Sequence, residues 1–437
     1  MKPAFVYGLD DRLPLKYALI YGLQWAVIMF PGLIVVARLS GIALQLEIEK
    51  EVRFFQFTLL TCGLFTTAQS LWGHRYPLLE GPSTALLLTL IVLAPCGLQA
   101  IQGGLIAGSV ILIALFLIGQ LKRIIALATP NVVGVILLLI VFSLLPHLTR
   151  LMAGVDAQHP HGDLTIFLVS LSLVLIMASF SHWFKGFWKT IALLLGMVMG
   201  SAFFFVVGPP DWHELQTARW LSVPTEVVPS WPSAYYPALA AFTCTYLAVV
   251  VNSLGSLHGI ATLTDQERLP QSIDRGILVN GVAGICCGLT GVVGMVSYSM
   301  SPGVILATRV ASRYATAYCG ALLMVAAFVP KLAALLAIIP AQVVGAALFV
   351  AMGVQVGAGL AIVASGEMTS RDYFVVGLPV MLGTCVGFLP EALLASLPVG
   401  ARVILGNGLV VGILLVLLLE HGLLRKIGSE SKLESHS

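Results

Sequence analysis

The sequence predicts an all-α polytopic membrane protein. It has fourteen transmembrane segments, arranged as two inverted seven-span repeats, with short strands and half-helices in spans three and ten. Three observations lead there. Of 437 residues, 58% are apolar and only 10% charged, and the mean hydropathy is +0.98, whereas soluble domains are apolar over about half their length and carry about a quarter of charged residues. Fourteen apolar runs can be marked, each near the roughly 20 residues that cross a bilayer. Two of these runs are interrupted by Pro and Gly at related places. This composition excludes soluble enzymes, nucleic-acid binders and secreted disulfide scaffolds.

Bounded by charges and turn residues, the runs lie at 17–38, 54–73, 77–95, 100–120, 130–148, 165–183, 190–207, 237–261, 276–293, 294–310, 314–329, 340–363, 373–389 and 403–424. The first follows Asp10 and Asp11, is too long for a signal peptide and has no small-residue cleavage site behind it, so it is expected to stay and span. With the N-terminus in the cytoplasm, sixteen Lys and Arg fall inside and seven outside (Arg38, Lys50, Arg53, Arg150, Arg219, Lys331 and Arg402). That bias agrees with the positive-inside rule and puts both termini in the cytoplasm of a multi-pass inner-membrane protein. The two longest outer loops, 149–164 and 208–236, hold Asp156, Asp163, Asp211, Glu214 and Glu226, with the interfacial aromatics Trp212, Trp220, Trp231, Tyr235 and Tyr236. The net charge of +3 is dispersed, without a basic run or heptad, so nucleic acid is no expected partner. Cys62, Cys96, Cys244, Cys286, Cys287, Cys319 and Cys385 form no CxxC pair and read as packing residues, with no metal or cofactor implied.

Spans three and ten are the unusual ones. The third opens Tyr76-Pro77-Leu78-Leu79-Glu80-Gly81-Pro82-Ser83-Thr84 and the tenth Gly294-Met295-Val296-Ser297-Tyr298-Ser299-Met300-Ser301-Pro302-Gly303. In each an extended piece meets a Pro placed as if in the first turn of a short helix, where a missing N–H costs nothing. Pro82 aligns on Pro302 at an offset of 220, and the Val-Val-Gly of 132–134 on that of 343–345 at 211. The two offsets suggest a repeat. An odd number of spans per copy inverts the second, as in secondary transporters, whose half-helix N-termini point at a substrate near the midplane. The plainer alternative is two Pro-kinked spans with no ligand.

At these residues the chain resembles the nucleobase-ascorbate transporter family, also called nucleobase:cation symporter-2 or xanthine/uracil permeases. The similarity runs from Tyr7-Gly8-Leu9-Asp10-Asp11 and Gly22-Leu23-Gln24-Trp25 to Asn407-Gly408. In the family signature, here residues 300–309, Gly303, Thr308 and Arg309 match, whereas Met300 and Ser301 do not. The resemblance implies a core domain of spans 1–4 and 8–11 (17–120 and 237–329) and a gate domain of spans 5–7 and 12–14 (130–208 and 340–424). It also implies elevator-type transport of a nucleobase-like small molecule, frequent proton coupling and a homodimer in the lipid bilayer. Two glutamates that grip the base in familiar members fall on Asn252 and Met300, a coupling histidine on Ser256, and the usual first-span Gln-His on Gln24-Trp25. Thr84 stands where the family presents a backbone N–H to the base.

Each candidate has two readings. Asn252 offers an acceptor and two donors to a lactam edge, or serves as an interhelical hydrogen bond. Tyr298 stacks on a planar ring or packs; Ser253, Ser256 and Thr84 bond a substrate or their own helix. His258, about two turns past Asn252, reads as structural or interfacial. Gly303 is expected to be intolerant of bulk because a backbone without Cβ permits close approach. Glu80 is the sharpest residue, since an intramembrane carboxylate defaults to a functional role; it either carries coupling or caps the half-helix. The candidate substrate site is therefore Gln24, Thr84, Asn252, Ser256, Tyr298, Met300, Ser301 and Gly303, with Glu80 for coupling to a proton, or else sodium. The function expected is a secondary-active permease for uracil, xanthine or another purine. Carriage of another small polar or anionic solute, or a transport-inactive sensor or scaffold, are the alternatives. No nucleophile–base pair or phosphate loop points to an enzyme.

Overall fold

A computed structural model describes residues 5–155, 160–185, 187–208, 212–224, 231–366 and 368–425. Asp156, Asp211 and Glu226 of the outer loops lie outside the described residues, as do Lys2, Lys426 and Lys432. The chain is mostly helical. In its first half run α1 (Leu15–Ala43), α2 (Ile48–Leu71), the strand β1 (Glu80–Pro82), α3 (Thr84–Leu93), α4 (Leu98–Leu117), α5 (Leu121–Leu127), α6 (Pro130–Met152), α7 (Leu164–Trp183), α8 (Phe187–Thr190), α9 (Ala192–Val207) and α10 (His213–Thr217). In its second half run α11 (Tyr236–Leu263), α12 (Leu269–Thr290), the strand β2 (Met295–Ser297), α13 (Ser301–Thr308), α14 (Arg313–Ala327), α15 (Pro330–Ala337), α16 (Ala341–Val363), α17 (Ser370–Val386), α18 (Glu391–Ala395), α19 (Val399–Leu405) and α20 (Gly408–Leu418).

Among the described residues seven helices are long and apolar enough to cross a bilayer: α1, α4, α6, α7, α11, α12 and α16. Joining α14 to α15, which meet at 90°, makes eight, and three shorter apolar helices begin at Thr84, Ala192 and Gly408. The bend follows from Pro330, which opens α15 and so ends the helix before it. The apolar run expected at 403–424 is itself broken at Asn407, whose side chain caps α20 by accepting from Val410 N at 3.2 Å. The ninth run starts earlier than its apolar pattern suggested, because α12 begins at Leu269.

Local chemistry sets the other ends as well. Asp163 caps α7 through Thr165 N and Ile166 N, Thr129 caps α6 just before Pro130, and the Thr369 N–H donates to Asp372 Oδ2 at the start of α17. Such caps satisfy N–H groups that the helix leaves open.

The helices pack in two sets. α2 lies against α14 and α1, and α4 against α12 and α11, whereas α6 packs on α16, α17 and α20, and α7 on α16 and α9. Lipid supplies no hydrophobic drive between helices, so close contact through small residues does that work. At the α2–α14 crossing a Cβ on Gly63 would sit 2.5 Å from the Gly320 carbonyl oxygen, so glycine is required there.

Candidate functional site

The two broken segments meet. β1 and β2 pair antiparallel, with Glu80 opposite Ser297, Gly81 opposite Val296 and Pro82 opposite Met295. The ladder continues outward through Ser83 N to Gly294 O (2.8 Å) and Tyr298 N to Leu79 O (2.8 Å). An isolated three-residue stretch of extended backbone could not stay buried alone, since its polar groups would lack partners; each strand is the other's partner.

The helices that follow start differently. Ser83 alone separates β1 from α3, and its Oγ accepts from Leu86 N at 3.4 Å. Tyr298, Ser299 and Met300 intervene between β2 and α13. Pro82 and Pro302 are therefore not equivalent, contrary to the alignment of one on the other: Pro302 lies in the first turn of α13, while Pro82 ends β1. That alignment would make Glu80 the counterpart of Met300, an equivalence the structure does not support. Nor does Glu80 cap α3, because Ser83 does.

Most of the candidate residues converge on this junction. Ser256 of α11 shares its one hydroxyl hydrogen between Asn252 O of its own helix (3.0 Å) and Ser297 O of β2 (2.8 Å), tying α11 to the strands. Ser301 Oγ accepts from Leu79 N at 3.2 Å. The Tyr298 hydroxyl donates to Pro82 O at 3.3 Å and lies 3.2 Å from where a Cβ on Gly32 of α1 would be. Pro302 packs against Gly259 of α11. These four side chains hold the breaks in place.

Asn252, Gln24 and Thr84 are half-buried, on α11, on α1 and at the start of α3. Among the described residues their side-chain polar atoms have no protein partner. Met300 is 41% exposed, and Gly303 is exposed with nothing within 4 Å of an added Cβ. No protein neighbour thus makes the close approach expected at Gly303. It occurs at Gly81, where a Cβ would lie 2.2 Å from Tyr298 Cζ. His258 is exposed and its Nδ1 contacts Leu254 O of the preceding turn.

Glu80 is fully buried. Its backbone exchanges hydrogen bonds with the Thr66 hydroxyl of α2, N to Oγ1 at 3.1 Å and Oγ1 to O at 3.2 Å. The Ser297 hydroxyl donates to Oε1 at 2.5 Å, and His74 Nε2 lies 3.4 Å from the same oxygen. Oε2 has no partner. Behind them runs a buried polar chain: His74 N donates to Gln69 Oε1 (3.1 Å), Gln69 Nε2 to Asn280 Oδ1 (2.9 Å), and Asn280 Nδ2 to Ser253 Oγ (3.0 Å), beside Asn252. Sequence reasoning missed His74, Gln69, Asn280 and Ser297. The apolar runs were drawn to end at 73 and restart at 77, which leaves His74 in an apparent loop. A buried Gln and Asn inside apolar helices were the available signal. Among the described residues no group of three or more His, Cys, Asp or Glu is placed to hold a metal ion.

A multi-pass helical protein with two broken segments crossing as paired strands defines a membrane transporter fold. In agreement, the structure resembles the transmembrane domain of the cyanobacterial bicarbonate transporter BicA at a TM-score of 0.58 and 15% identity, over 87% of this chain and 98% of that one. The chain belongs to the xanthine/uracil permeases, the Permease family, whose family model matches residues 16–392. It is 29% identical over 399 residues to the uric acid permease PucK of Bacillus subtilis, covering 90% of this chain and 92% of that one. It is 26% identical over 425 residues to the nucleobase transporter PlUacP of Paenibacillus larvae, covering 95% and 96%. Family and relatives are permeases, not enzymes.

Proposed function

We propose that this permease is a secondary-active, elevator-type transporter of a nucleobase such as uric acid, xanthine, another purine or uracil, and that it couples uptake to protons. The observation that carries the substrate class is the junction itself: unpartnered Asn252 and Thr84 flank paired breaks in a chain whose relatives over nearly full length are named for uric acid and nucleobases. Asn252 would meet a lactam edge, since its amide both accepts and donates. The N-termini of α3 and α13 would offer N–H groups to ring carbonyls, with Met300 and Gly303 at the mouth and Tyr298, Ser256 and Ser301 holding the frame. Glu80, fully buried at the crossing strands, would carry the proton, with sodium as the rival ion.

The same reading has fourteen segments in two inverted repeats, a core domain (17–120 and 237–329), a gate domain (130–208 and 340–424), a homodimer, and both termini in the cytoplasm. The two packing sets of helices and the sixteen-to-seven charge bias support it. A second reading, a small anion in place of the base, is favoured by one feature: Asn252 and Met300 put no carboxylate at the positions where familiar members have two. The test is uptake of labelled uric acid, xanthine, uracil and bicarbonate by proteoliposomes under an inward proton gradient. Accumulation of a nucleobase that Glu80→Gln reduces to equilibration is the expected result. Accumulation of bicarbonate alone would overturn the substrate class, and unchanged pH-dependent accumulation by Glu80→Gln would overturn the coupling.

A further inference from the structure

We infer that the proton-binding atom is Glu80 Oε2, and that His74 faces the carboxyl as a neutral N–H, a positioning residue for coupling and not a second charge. The inference rests on the proton-coupled reading above and deepens it. His74 and Glu80 are both 0% exposed. The Tyr76 backbone N–H donates to His74 Nδ1 at 3.0 Å. That bond occupies the Nδ1 lone pair, so the neutral ring carries its hydrogen on Nε2, the atom 3.4 Å from Glu80 Oε1 and without a hydrogen-bond partner in this structure. An imidazolium would need a hydrogen on Nδ1 as well, pointing into the Tyr76 N–H. The geometry therefore admits the neutral ring and rejects the cation.

Oε1 accepts from the Ser297 hydroxyl and faces Nε2 of His74 at 3.4 Å, a contact without hydrogen-bond geometry in this structure. Oε2 is buried without a donor. A carboxylate left with one bare oxygen in the interior carries a large desolvation cost. Addition of one proton forms an O–H bond on Oε2, removes the charge and involves no electron transfer; release breaks that bond and restores the carboxylate. Other titratable groups within electrostatic reach of Glu80 are Cys62 of α2 and Tyr298 after β2. Around His74 stand Gly276 of α12, which does not titrate, and the Tyr76 ring, stacked at 6.4 Å with its hydroxyl donating to Asp265 O. Arg75 follows His74 in the chain, and Arg313 of α14 commits its guanidinium to Ser70 O, Leu71 O and Asp10. Among the described residues Glu80 makes no ion pair with a lysine or arginine, so a proton is what can neutralise the carboxylate.

The state of Glu80 has two routes toward the substrate residues. Ser297 bonds Oε1 with its side chain while its carbonyl accepts from Ser256 on α11. The Gln69–Asn280–Ser253 chain reaches the residue next to Asn252.

The test combines proteoliposome uptake with infrared difference spectra of the purified protein across pH, which report the C=O stretch of a protonated carboxyl. A pH-dependent carboxyl band that Glu80→Gln abolishes is expected. His74→Leu removes the N–H that faces the charged form, so the midpoint of that band and of uptake should move to higher pH. His74→Gln, which keeps an N–H, should stay near the wild type. Ser297→Ala removes the hydroxyl that donates to Oε1 and should shift the midpoint in the same direction, which preserves the test if His74→Leu fails to fold. A band that survives in Glu80→Gln would overturn the assignment of the proton. Midpoints unchanged in both His74→Leu and Ser297→Ala would overturn the role of His74 while leaving coupling through Glu80 intact. A midpoint in His74→Gln displaced as far as in His74→Leu would show that the ring's charge is used.

Discussion

Asn252 and Gly81 are the two residues on which the site turns most directly. Asn252 is half-buried on α11 and bonds no other side chain, so its amide is available to a ligand. Loss of one buried hydrogen bond costs about 1–3 kcal/mol, and Asn252→Ala is expected to weaken nucleobase binding by about 5- to 150-fold with an unchanged melting temperature; calorimetric titration measures the first and a thermal scan the second. Gly81 has an opposite logic. An added Cβ would overlap the Tyr298 ring at 2.2 Å, and overpacking a tight interior costs about 1–3 kcal/mol. Gly81→Ala should therefore lower the melting temperature and uptake together, and Tyr298→Ala in the same chain should restore part of the stability. At this scale the sequence was legible where cost singles a residue out. A carboxylate among leucines declares itself, and Glu80 did so. At Gly303 no protein neighbour meets an added Cβ, which leaves approach to a ligand as the reason for a glycine there. His74 was hidden because its significance depends on Tyr76 N and Glu80 Oε1, neither of which periodicity can place beside it.

Among the elements, the breaks in spans three and ten were readable from Pro and Gly inside apolar runs, and the strands β1 and β2 lie within those runs. Their pairing was not readable, since no local signal says that residue 80 lies opposite 297. The N-terminal segment carries a similar lesson. Tyr7-Gly8-Leu9-Asp10-Asp11 precedes the first helix as an ordinary polar lead, yet it lies alongside the link from α13 to α14. Ala311 N donates to Tyr7 O (2.9 Å), Arg313 N to Leu9 O (3.1 Å) and Val6 N to Arg309 O (2.9 Å). Asp10 fastens this strap between Arg268 (2.5 Å) and Arg313 (2.7 Å). Its carboxyl is held down to about 2, first by the hydrogen bond from Arg268, with burial opposing and Arg313 assisting. A carboxylate depressed on folding stabilises above its unfolded value near 3.8 and loses that contribution as the pH falls through about 2. Because the Asp10 side chain is 48% exposed, solvent screens much of the effect. Amide exchange at Ala311 and Arg313, corrected for its intrinsic rate, should accordingly be flat between pH 7 and about pH 4 in the wild type. Asp10→Asn should show raised exchange across that whole range. Wild-type protection in the variant would mean that the backbone bonds hold the strap without the arginines.

For the molecule as a whole, hydropathy and charge bias were enough to reveal a multi-pass membrane protein, because the bilayer imposes its demands on composition along the entire chain. Which helices move as a body is a property of packing, and here the two sets meet where α1 lies against α16 and α9, α11 against α19 and α20, and α3 against α6. One contact between them is polar. Asn407, the cap of α20, donates to Thr89 Oγ1 of α3 at 3.3 Å, and Thr89 in turn bonds Thr245 of α11 at 2.8 Å. If α3 and α11 ride with a core that slides past α6, α17 and α20, this contact must break in each cycle. A contact inside one set, such as Ser70 on α2 with Thr316 on α14 at 2.8 Å, must not. In a chain with its seven native cysteines replaced, a Thr89→Cys, Asn407→Cys pair joined by a short bifunctional maleimide should stop uptake and still bind nucleobase from one side of the membrane. The Ser70→Cys, Thr316→Cys pair, joined in the same way, should transport at close to the uncrosslinked rate. Undiminished uptake by the Thr89–Asn407 crosslinked protein would show that α3 and α20 travel together. The division between moving and fixed parts would then have to be drawn elsewhere than between the two packing sets.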